Sequence, residues 1–390
     1  MPAWRNWSGK QTAEPAAVVR PTSEEAVVGA VRAAAAAGRR VRVVGAAHSH
    51  SPLAATEGTL IDLEGWSGVV ATDPERERAT VRGGTRIYQL GAPLRAAGLG
   101  LVNQGDIDRQ AIAGAIATGT HGTGETLGCL SSAVRGLRLV LADGSVVTCD
   151  AKREPELFHA ARLGLGAFGV VLDVELAVRR AYRLREHIAL EPLDAVLDGI
   201  AERTARHRHF EFFWTPGRER AVCKSIDETD DPGEYPLAGE GARVGWSDEV
   251  LANHRPDLHT EMEYAVPADV GPACFREIRA LVEARFADVS WPLEYRTVAA
   301  DDVWLSMAHG RPTVTISVHQ DAARDDGPYF RACEEIFRAH GGWPHWGKVH
   351  FLSGDELGAR HPRWADWWRV RDAFDPEGRF LNDHLAGLRP

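Results

Sequence analysis

Two loops of small residues constrain the fold of this chain more than any other feature. One has the sequence VVGAAHS at residues 43–49, and the other has the sequence ATGTHGTG at residues 117–124. We interpret both as loops that leave a hydrophobic strand. Residues with little or no side chain let backbone N–H groups approach a bound diphosphate closely. Two such loops predict a fold built around one large nucleotide cofactor.

The same loops exclude two common kinds of nucleotide site. Gly45 is followed by Ala46, Ala47 and His48, so the glycine fingerprint of a Rossmann domain is missing. The P-loop pattern is missing too, because Gly-Lys-Ser/Thr occurs nowhere in the 390 residues. Pyridine nucleotides and ATP are therefore disfavoured, and a flavin fits better.

Composition narrows the class of protein. A chain of 390 residues with 44% hydrophobic residues predicts about two domains. The 45 basic and 55 acidic residues give a net charge of −10, which argues against a nucleic-acid partner. No apolar run is long enough for a membrane span. We expect a cytoplasmic protein whose partner is a small molecule.

The cysteines support a reducing compartment. They are five in number and lack metal-ligand spacing, so we expect neither a disulfide framework nor a metal site. Their positions are Cys129, Cys149, Cys223, Cys274 and Cys333.

Local signals predict an α+β fold with short elements. Thr22 and Ser23 are good helix caps, the alanine-rich run is strongly helical, and Gly38 ends it. Asp143-Gly144 is a hairpin signal. We predict helices at residues 22–37, 86–97 and 156–162, and strands at 40–44, 60–63, 79–82, 134–141, 146–149 and 170–178. The composition changes at Arg179-Arg180, where a second domain begins.

The segment 313–320 alternates between apolar and polar residues. Val314, Ile316 and Val318 share one face of the predicted strand. The opposite face carries Thr313, Thr315, Ser317 and His319. Taken alone, the segment favours a solvated polar face over the alternative, a pocket wall of hydroxyls for a polyol.

Two pairs of charged residues share strand faces in the same way. Glu294 and Arg296 point to one side of a predicted strand, and an exposed ion pair is the usual explanation. Glu261 and Glu263 also share a face, for which the ordinary interpretation is a solvated surface.

The segment 345–350 is a third candidate. A period of two places Trp346, Lys348 and His350 on one face. The three side chains indicate either a site or the edge of a sheet.

Eight segments, in order along the chain, resemble motifs of the FAD-linked sugar-1,4-lactone oxidoreductases and alditol oxidases, which are vanillyl-alcohol-oxidase-type flavoproteins. The resemblance covers almost the entire chain and is closest to the actinobacterial gulono/arabinono-lactone dehydrogenases. The segments are NWSG at 6–9, RPTS at 20–23, VGAAHS at 44–49, NQGD at 103–106, ATGTHG at 117–122, EYRTVA at 294–299, PHWGK at 344–348 and DPEGRFLN at 375–382.

The resemblance implies a two-domain α+β fold. Residues 1–179 would form the FAD-binding domain of the PCMH type, with two subdomains. Residues 180–343 would form a substrate domain with an antiparallel sheet, and residues 344–390 would return to the flavin.

The resemblance also implies FAD as the cofactor. His48 would lie at the flavin 8α-methyl and either carry it covalently through a ring nitrogen or be hydrogen-bonded in place. His50 could compete for that carbon or be solvent-exposed. The implied cofactor-binding residues are Val44, Gly45, Ala46, Ala47, His48, Ser49, Gly105, Asp106, Ala113, Gly114, Thr118, Gly119, Thr120, His121, Gly122, Gly169, Val170, His345 and Lys348.

By the same resemblance, Glu294, Arg296 and Lys348 are the catalytic residues. Lys348 or Arg296 suits charge stabilisation and binding of a substrate oxygen, whereas Glu294 can orient Arg296 or accept a hydroxyl hydrogen bond. Which group takes the proton stays open. The expected substrate-binding residues are Asp106, Thr315, Ser317 and His319.

Three functions follow as hypotheses. The first is oxidation of a carbinol of a sugar lactone or alditol by hydride transfer to flavin N5, with O2 or another acceptor; Gly105 leaves room for O2. The second is a tailoring oxidase of a sugar or amino-sugar intermediate, suggested by Glu261, Glu263 and by Asp106, where alditol oxidases carry serine. The third, a flavin-binding protein without catalysis, is disfavoured because the catalytic residues are present.

Overall fold

The computed structural model describes residues 3–390. The first small sheet is parallel and has three strands. Its helix, Glu24–Ala36, begins at Ser23, whose side chain accepts a hydrogen bond from the Ala26 N–H, and buries Val27 and Val31. The predicted helix at 22–37 is therefore confirmed. The strands, in spatial order, are Ala17–Val19, Thr59–Asp62 and Val41–Val44.

A five-stranded antiparallel sheet follows. The predicted strands at 60–63 and 79–82 both form, but the first belongs to the parallel sheet and the second to this one. The hairpin turn at Gly144 has a φ of 78°, which glycine adopts without strain. The strands, in spatial order, are Val146–Asp150, Val134–Val140, Val170–Ala177, Arg78–Arg82 and Val69–Asp73.

The predicted helix at 86–97 is wrong in its first half. A 3₁₀ turn, Ile87–Gln89, precedes a short α-helix, Gly91–Ala96. The N–H groups of Ile87 and Tyr88 donate to the carbonyls of Gln110 and Asp108. This first turn is therefore tied to a neighbouring segment, and the α-helix starts only after it.

The second small-residue loop leaves a helix, whereas we predicted a strand before it. The helix Ile112–Thr118 ends at Gly119, which has a φ of 77°. Such a left-handed residue is a common helix terminator, and glycine adopts it readily.

The largest sheet has eight antiparallel strands and lies in the second half of the chain. Its order is Val244–Trp246, Arg183–Pro192, Arg220–Thr229, His209–Trp214, Leu293–Val298, Thr313–Asp321, His259–Pro267 and Trp343–Pro344. Two long helices, Gly271–Arg285 and Gly327–Ala339, pack against one of its faces. Phe275 from the first helix contacts Tyr295, and Phe337 from the second stacks on Tyr264.

The opposite face of this sheet is charged. Because neighbouring side chains on a strand alternate, the residues between the core positions all point away from the helices. We call this surface the polar face. Its residues are Glu186, Lys224, Glu211, Glu294, Arg296, Thr315, Ser317, His319, Glu261 and Glu263.

The remaining elements are short. Two pairs of strands form small sheets, Trp4–Arg5 with Thr12–Ala13 and Leu99–Gly100 with Arg179–Arg180. The other α-helices are Pro155–Ala161, Leu193–Asp198, Ile200–Arg206, Ser247–Val250, Gly354–Gly358, Trp364–Phe374 and Asp383–Gly387. The other 3₁₀ turns are Pro52–Ala54, Leu63–Gly65, Leu130–Ala133 and Ala268–Val270.

The C-terminal segment packs back on the first half of the chain. Arg42 donates to the Phe380 carbonyl at 2.5 Å, and Asn382 donates to the Pro52 carbonyl at 2.8 Å. No helix in residues 3–390 is long and apolar enough to cross a membrane. The domain boundaries at 179/180 and 343/344 stay predictions.

Candidate active site

A cavity of about 800 Å³ lies between the small-residue loops and the polar face of the eight-stranded sheet. Its volume is in the range of cofactor and ligand sites, roughly 300–1,000 Å³. Both halves of the chain contribute to its wall, and so do His345, Gly347 and Lys348 from the C-terminal segment.

The loop at 44–49 forms part of the wall with backbone atoms. Ala47 has a φ of 55°, a left-handed conformation that is uncommon for alanine. The Trp7 N–H donates to its carbonyl at 2.8 Å and holds the turn. A Cβ added to Gly45 would lie 2.6 Å from the Cβ of Ala111. The loop therefore needs small residues, because neighbouring residues pack tightly against its backbone.

His48 follows this turn and lines the cavity. Its ring stacks on Trp7 with centroids 5.2 Å apart. Burial, together with the charge of Lys348, lowers the pKa of His48 to about 4. The imidazole is therefore neutral at pH 7.

A buried guanidinium forms another part of the wall. Arg42 donates to the carbonyls of Leu53, Leu165, Gly166 and Phe380. It has no carboxylate partner within residues 3–390, and burial lowers its pKa to about 9. This part of the cavity therefore has a positive charge that an anionic group can neutralise.

Most of the expected cofactor-binding residues line the cavity. Three lie outside its lining: Gly119 ends a helix, Val170 lies in the core, and a Cβ on Gly122 would meet the Gln104 carbonyl at 2.2 Å. The residues that line it are Val44, Gly45, Ala46, Ala47, His48, Ser49, Gly105, Asp106, Ala113, Gly114, Thr118, Thr120, His121, Gly169, His345 and Lys348.

The three expected catalytic residues also line the cavity. Lys348 lies in a turn, and its ammonium contacts the carboxylate of Glu261. Although burial alone would raise the pKa of Glu261, Lys348 and His319 hold it well below its usual range. Glu261 is therefore an anion, and it positions the Lys348 ammonium at the cavity wall.

The expected face of residues 345–350 is wrong. Only Trp343–Pro344 is strand, and the chain turns at Trp346. Trp346 points into the core and donates to the Leu305 carbonyl at 2.6 Å, whereas Lys348 faces the cavity. A turn breaks the period of two, so these side chains do not share a face.

Arg296 is held by three carboxylates. Glu211 accepts from its Nε at 2.7 Å, Asp106 lies 3.4 Å from Nη2, and Glu294 contacts the same Nη2. The side chain is only 11% exposed. The expectation of an exposed Glu294–Arg296 pair is therefore wrong, because both side chains are buried where the eight-stranded sheet meets the loop at Asp106.

A second buried cation supports this group. Lys224 is 1% exposed, and its ammonium lies 3.0 Å from Glu211 and 3.7 Å from both Asp106 and Glu186. Burial lowers the pKa of Lys224, but Asp106 and Glu211 together raise it above its usual value. The ammonium neutralises carboxylates that would otherwise repel one another around Arg296.

Glu294 differs from its neighbours. Burial, with the nearby charges of Glu211 and Asp106, raises its pKa well above the usual range despite the contact with Arg296. In contrast, Lys224 and Arg296 outweigh burial and lower the pKa of Glu211 to about 2. Two carboxylates on one guanidinium thus have different protonation behaviour.

Several polar residues expected at the surface are buried. Glu261 and Glu263 are 5% and 3% exposed, so their expected solvated face is wrong. Glu263 accepts from His121 Nε2 at 2.6 Å. His50 is 4% exposed, which excludes the exposed alternative.

The polar side of the strand Thr313–Asp321 is likewise buried, and the solvated interpretation is wrong. Only His319 of its expected substrate residues lines the cavity. Thr315 and Ser317 are each 2% exposed and lie behind that lining.

Comparison with known proteins gives the family. The D-arabinono-1,4-lactone oxidase family model matches residues 174–254 and 235–388, and the FAD binding domain model matches residues 15–150. The chain is 36% identical to L-gulono-1,4-lactone dehydrogenase of Mycobacterium tuberculosis over 98% of both chains. The chain belongs to the D-arabinono-1,4-lactone oxidase family.

Other members of this group match over the same length. Alditol oxidase of a Streptomyces species is 31% identical over 98% of both chains. L-gulonolactone oxidase of Bos taurus is 28% identical over 98% of this chain and 97% of its own. The resemblance found in the eight sequence segments is confirmed, and the chain is an FAD-binding oxidoreductase of this family.

Solved structures confirm the fold class. A solvent-stable cholesterol oxidase superposes with a TM-score of 0.87 at 18% identity, covering 99% of this chain and 97% of its own. 6-Hydroxy-D-nicotine oxidase from Arthrobacter nicotinovorans gives 0.74 at 18% identity, covering 96% and 93%. At this identity the likeness shows the vanillyl-alcohol-oxidase-type fold alone.

The cavity fits the cofactor of this family. Its small-residue loops expose backbone on one side, and the Arg42 guanidinium supplies positive charge for a diphosphate. Lys348 and Arg296, which also line the cavity, would supply positive charge to a flavin ring that becomes negatively charged on reduction.

Sequence reasoning missed several residues of the candidate site. Glu211 and Lys224 lie on strands for which we proposed no site. Alternation along residues 209–214 and 220–229 shows which side chains share a strand face. It does not show which face meets the small-residue loops. The other missed residues include Arg42, Gly83, Leu165, Gly166, Glu240, Arg255, His259 and Trp291.

Replacing Lys224 with Met tests the buried charge group. Methionine keeps the length of the side chain but leaves Glu211, Asp106 and Glu186 without their shared cation. We expect the free energy of unfolding to fall by about 3–5 kcal/mol, as for a broken buried ion pair. A lower urea midpoint at unchanged slope measures this. Lys152→Met, at an exposed position, should leave the midpoint unchanged, and an equal loss there would contradict the assignment.

Proposed function

We propose that this protein oxidises a carbinol of a sugar lactone or alditol to a carbonyl. The observation that carries the proposal is the meeting of Lys348, Arg296 and Glu294 in the wall of the cavity whose other side is the small-residue loops. FAD, when bound there, supplies the two-electron acceptor for the carbinol hydride.

Lys348 and Arg296 act as donors to substrate oxygens. Both side chains line the largely enclosed cavity, where hydrogen bonds from a charged donor are strong. Their positions are fixed by carboxylates: Glu261 holds Lys348, and Glu211 with Asp106 holds Arg296. A substrate hydroxyl bound to both cations has its proton acidified.

Glu294 accepts that proton. Its raised pKa makes it a stronger base than an ordinary glutamate, and Arg296 stays in contact with it. Glu211 is unsuited to this role, since Lys224 and Arg296 stabilise its anion. Glu294 therefore serves as the base, whereas the other carboxylates hold Lys348 and Arg296 in place.

The charges of the wall favour a neutral substrate over an amino sugar. Asp106 has cations on three sides, with Arg296 at 3.4 Å and Lys224 and Arg255 each at 3.7 Å. Glu261 is paired with Lys348 and Glu263 with His121. The carboxylates that suggested a cationic substrate thus already have partners within the protein.

We propose O2 or another electron acceptor as the oxidant of the reduced flavin, and the cytoplasm as the compartment. Gly105 lines the cavity, and a Cβ there would lie 3.0 Å from the His121 carbonyl, so glycine keeps this part of the wall clear of a side chain.

Anaerobic titration of the holoenzyme with a sugar panel tests the function. Sugar-1,4-lactones or alditols should bleach the visible flavin band, and amino sugars should not. Recovery of the band on adding air would identify O2 as an acceptor, and recovery only with an artificial dye would identify another. Bleaching by amino sugars alone would contradict the proposal.

Lys348→Met is the matched variant for that titration. It should keep the spectrum of bound FAD and lose substrate-driven bleaching, because the donor to the substrate oxygen is gone. Lys152→Met is the surface control. Full turnover in Lys348→Met would overturn the site assignment.

The pH dependence tests Glu294. A base with a raised pKa is protonated and inactive at acidic pH, so kcat/KM should rise as the pH increases through that pKa. Glu294→Gln should lower kcat/KM by about 10²–10⁴ and remove this rise. Glu335→Gln, at an exposed position, should retain it. An unchanged profile in Glu294→Gln would assign the base elsewhere.

We further propose that His48 carries FAD covalently. No side chain or backbone group of residues 3–390 hydrogen-bonds its ring, and the neutral imidazole has a nitrogen lone pair. After acid precipitation, the yellow colour should stay with the wild-type pellet and move to the supernatant in His48→Ala. Release in His50→Ala alone would assign the bond to His50.

A further inference from the structure

Three imidazoles surround the Glu261 carboxylate. His50 Nε2 and His259 Nε2 lie 3.7 and 3.8 Å from Oε2, and His319 Nε2 lies 3.7 Å from Oε1. These separations are too long for hydrogen bonds. They leave room for an atom between the ring nitrogens and the carboxylate.

Backbone carbonyls fix two of these rings. His259 Nδ1 donates to the Asp257 carbonyl at 2.9 Å, and His319 Nδ1 donates to the Pro292 carbonyl at 2.7 Å. Because Nδ1 of each ring is bound to a carbonyl, Nε2 is the nitrogen that faces the Glu261 carboxylate. Histidines that bind metals are oriented by the same kind of backbone hydrogen bond.

Nitrogen and oxygen atoms of the kind that bind metals therefore converge on one point between the rings and the carboxylate. His50 Nε2 faces the same Glu261 oxygen as His259 Nε2. One ligand atom each from His50, His259 and Glu261 lie within 4.8 Å of one another.

We propose that His50, His259 and Glu261 form a site for a divalent transition-metal ion such as Zn²⁺. Two imidazoles and one carboxylate are a ligand set that Zn²⁺ accepts, with a fourth position left open, here toward the cavity. Ligand distances of about 2.0–2.2 Å require only small side-chain movements from the present separations. Sequence spacing misses this site, because His50 is far along the chain from His259.

The ion and Lys348 compete for the same oxygen. The Lys348 ammonium contacts Oε2 of Glu261, which is also the oxygen nearest to His50 and His259. Lys348 is 21% exposed and lies in a turn, so its side chain can move into the cavity. Metal binding therefore displaces the lysine from its anchor. Displacement of Lys348 would also inhibit sugar oxidation, and this consequence rests on the proposed function. Binding of the metal ion does not depend on it.

Calorimetric titration of the holoenzyme with ZnCl₂, without substrate, tests the site. We expect one Zn²⁺ per chain, with affinity about tenfold or more weaker in His259→Gln. His187→Gln removes an exposed imidazole and is the matched control. An unchanged affinity in His259→Gln, or a loss of equal size in His187→Gln, would overturn the proposal. An unchanged flavin spectrum shows that each variant is folded.

Lys348→Met gives an opposite signature. Removing the competing ammonium should tighten Zn²⁺ binding by about tenfold or more, which a metal bound elsewhere on the surface would not show. Weaker or unchanged binding in this variant would overturn the competition at Glu261. Because no turnover is measured, failure of this test is distinguishable from failure of the sugar-oxidation proposal.

Discussion

Pairing of buried charges is the constraint on which the candidate site depends. Arg296 and Lys224 lie under the contact between the eight-stranded sheet and the first half of the chain, where an unpaired ion is very costly. Their carboxylate partners come from the loop at Asp106 and from neighbouring strands. These strands must therefore be in register and the loop in place before either cation is neutralised. Formation of this contact between the sheet and the loop therefore also assembles the candidate site.

The eight-stranded sheet separates stability from chemistry by its two faces. Tyr264, Tyr295 and Ile316 alternate with Glu263, Glu294 and Ser317 along their strands. One set packs on the helices, and the other faces the cofactor loops. A slip of one residue would exchange the two faces. The core residues therefore also determine which carboxylates reach the cavity.

The sequence predicts the local features of this fold well. The loop at 44–49 and the helix capped at Ser23 depend on neighbouring residues, and both form as expected. The faces of the later strands could not be assigned, because burial of Glu261, Glu294 and His319 results from a distant layer that covers them. Alternation shows that two faces differ but not that the polar one is covered. Only the eight-segment resemblance suggested roles for these residues, because periodicity could not.

The turn at 346–348 connects the end of the loop at 44–49 to Glu261 on the eight-stranded sheet. The His50 N–H donates to the Gly347 carbonyl at 2.7 Å, and the Ser51 hydroxyl donates to the Trp346 carbonyl at 2.8 Å. The end of the cofactor loop is therefore hydrogen-bonded to the turn that carries Lys348. The Lys348 ammonium in turn contacts Glu261 of the eight-stranded sheet. Segments separated by about three hundred positions are thus connected by backbone hydrogen bonds and one partly buried ion pair.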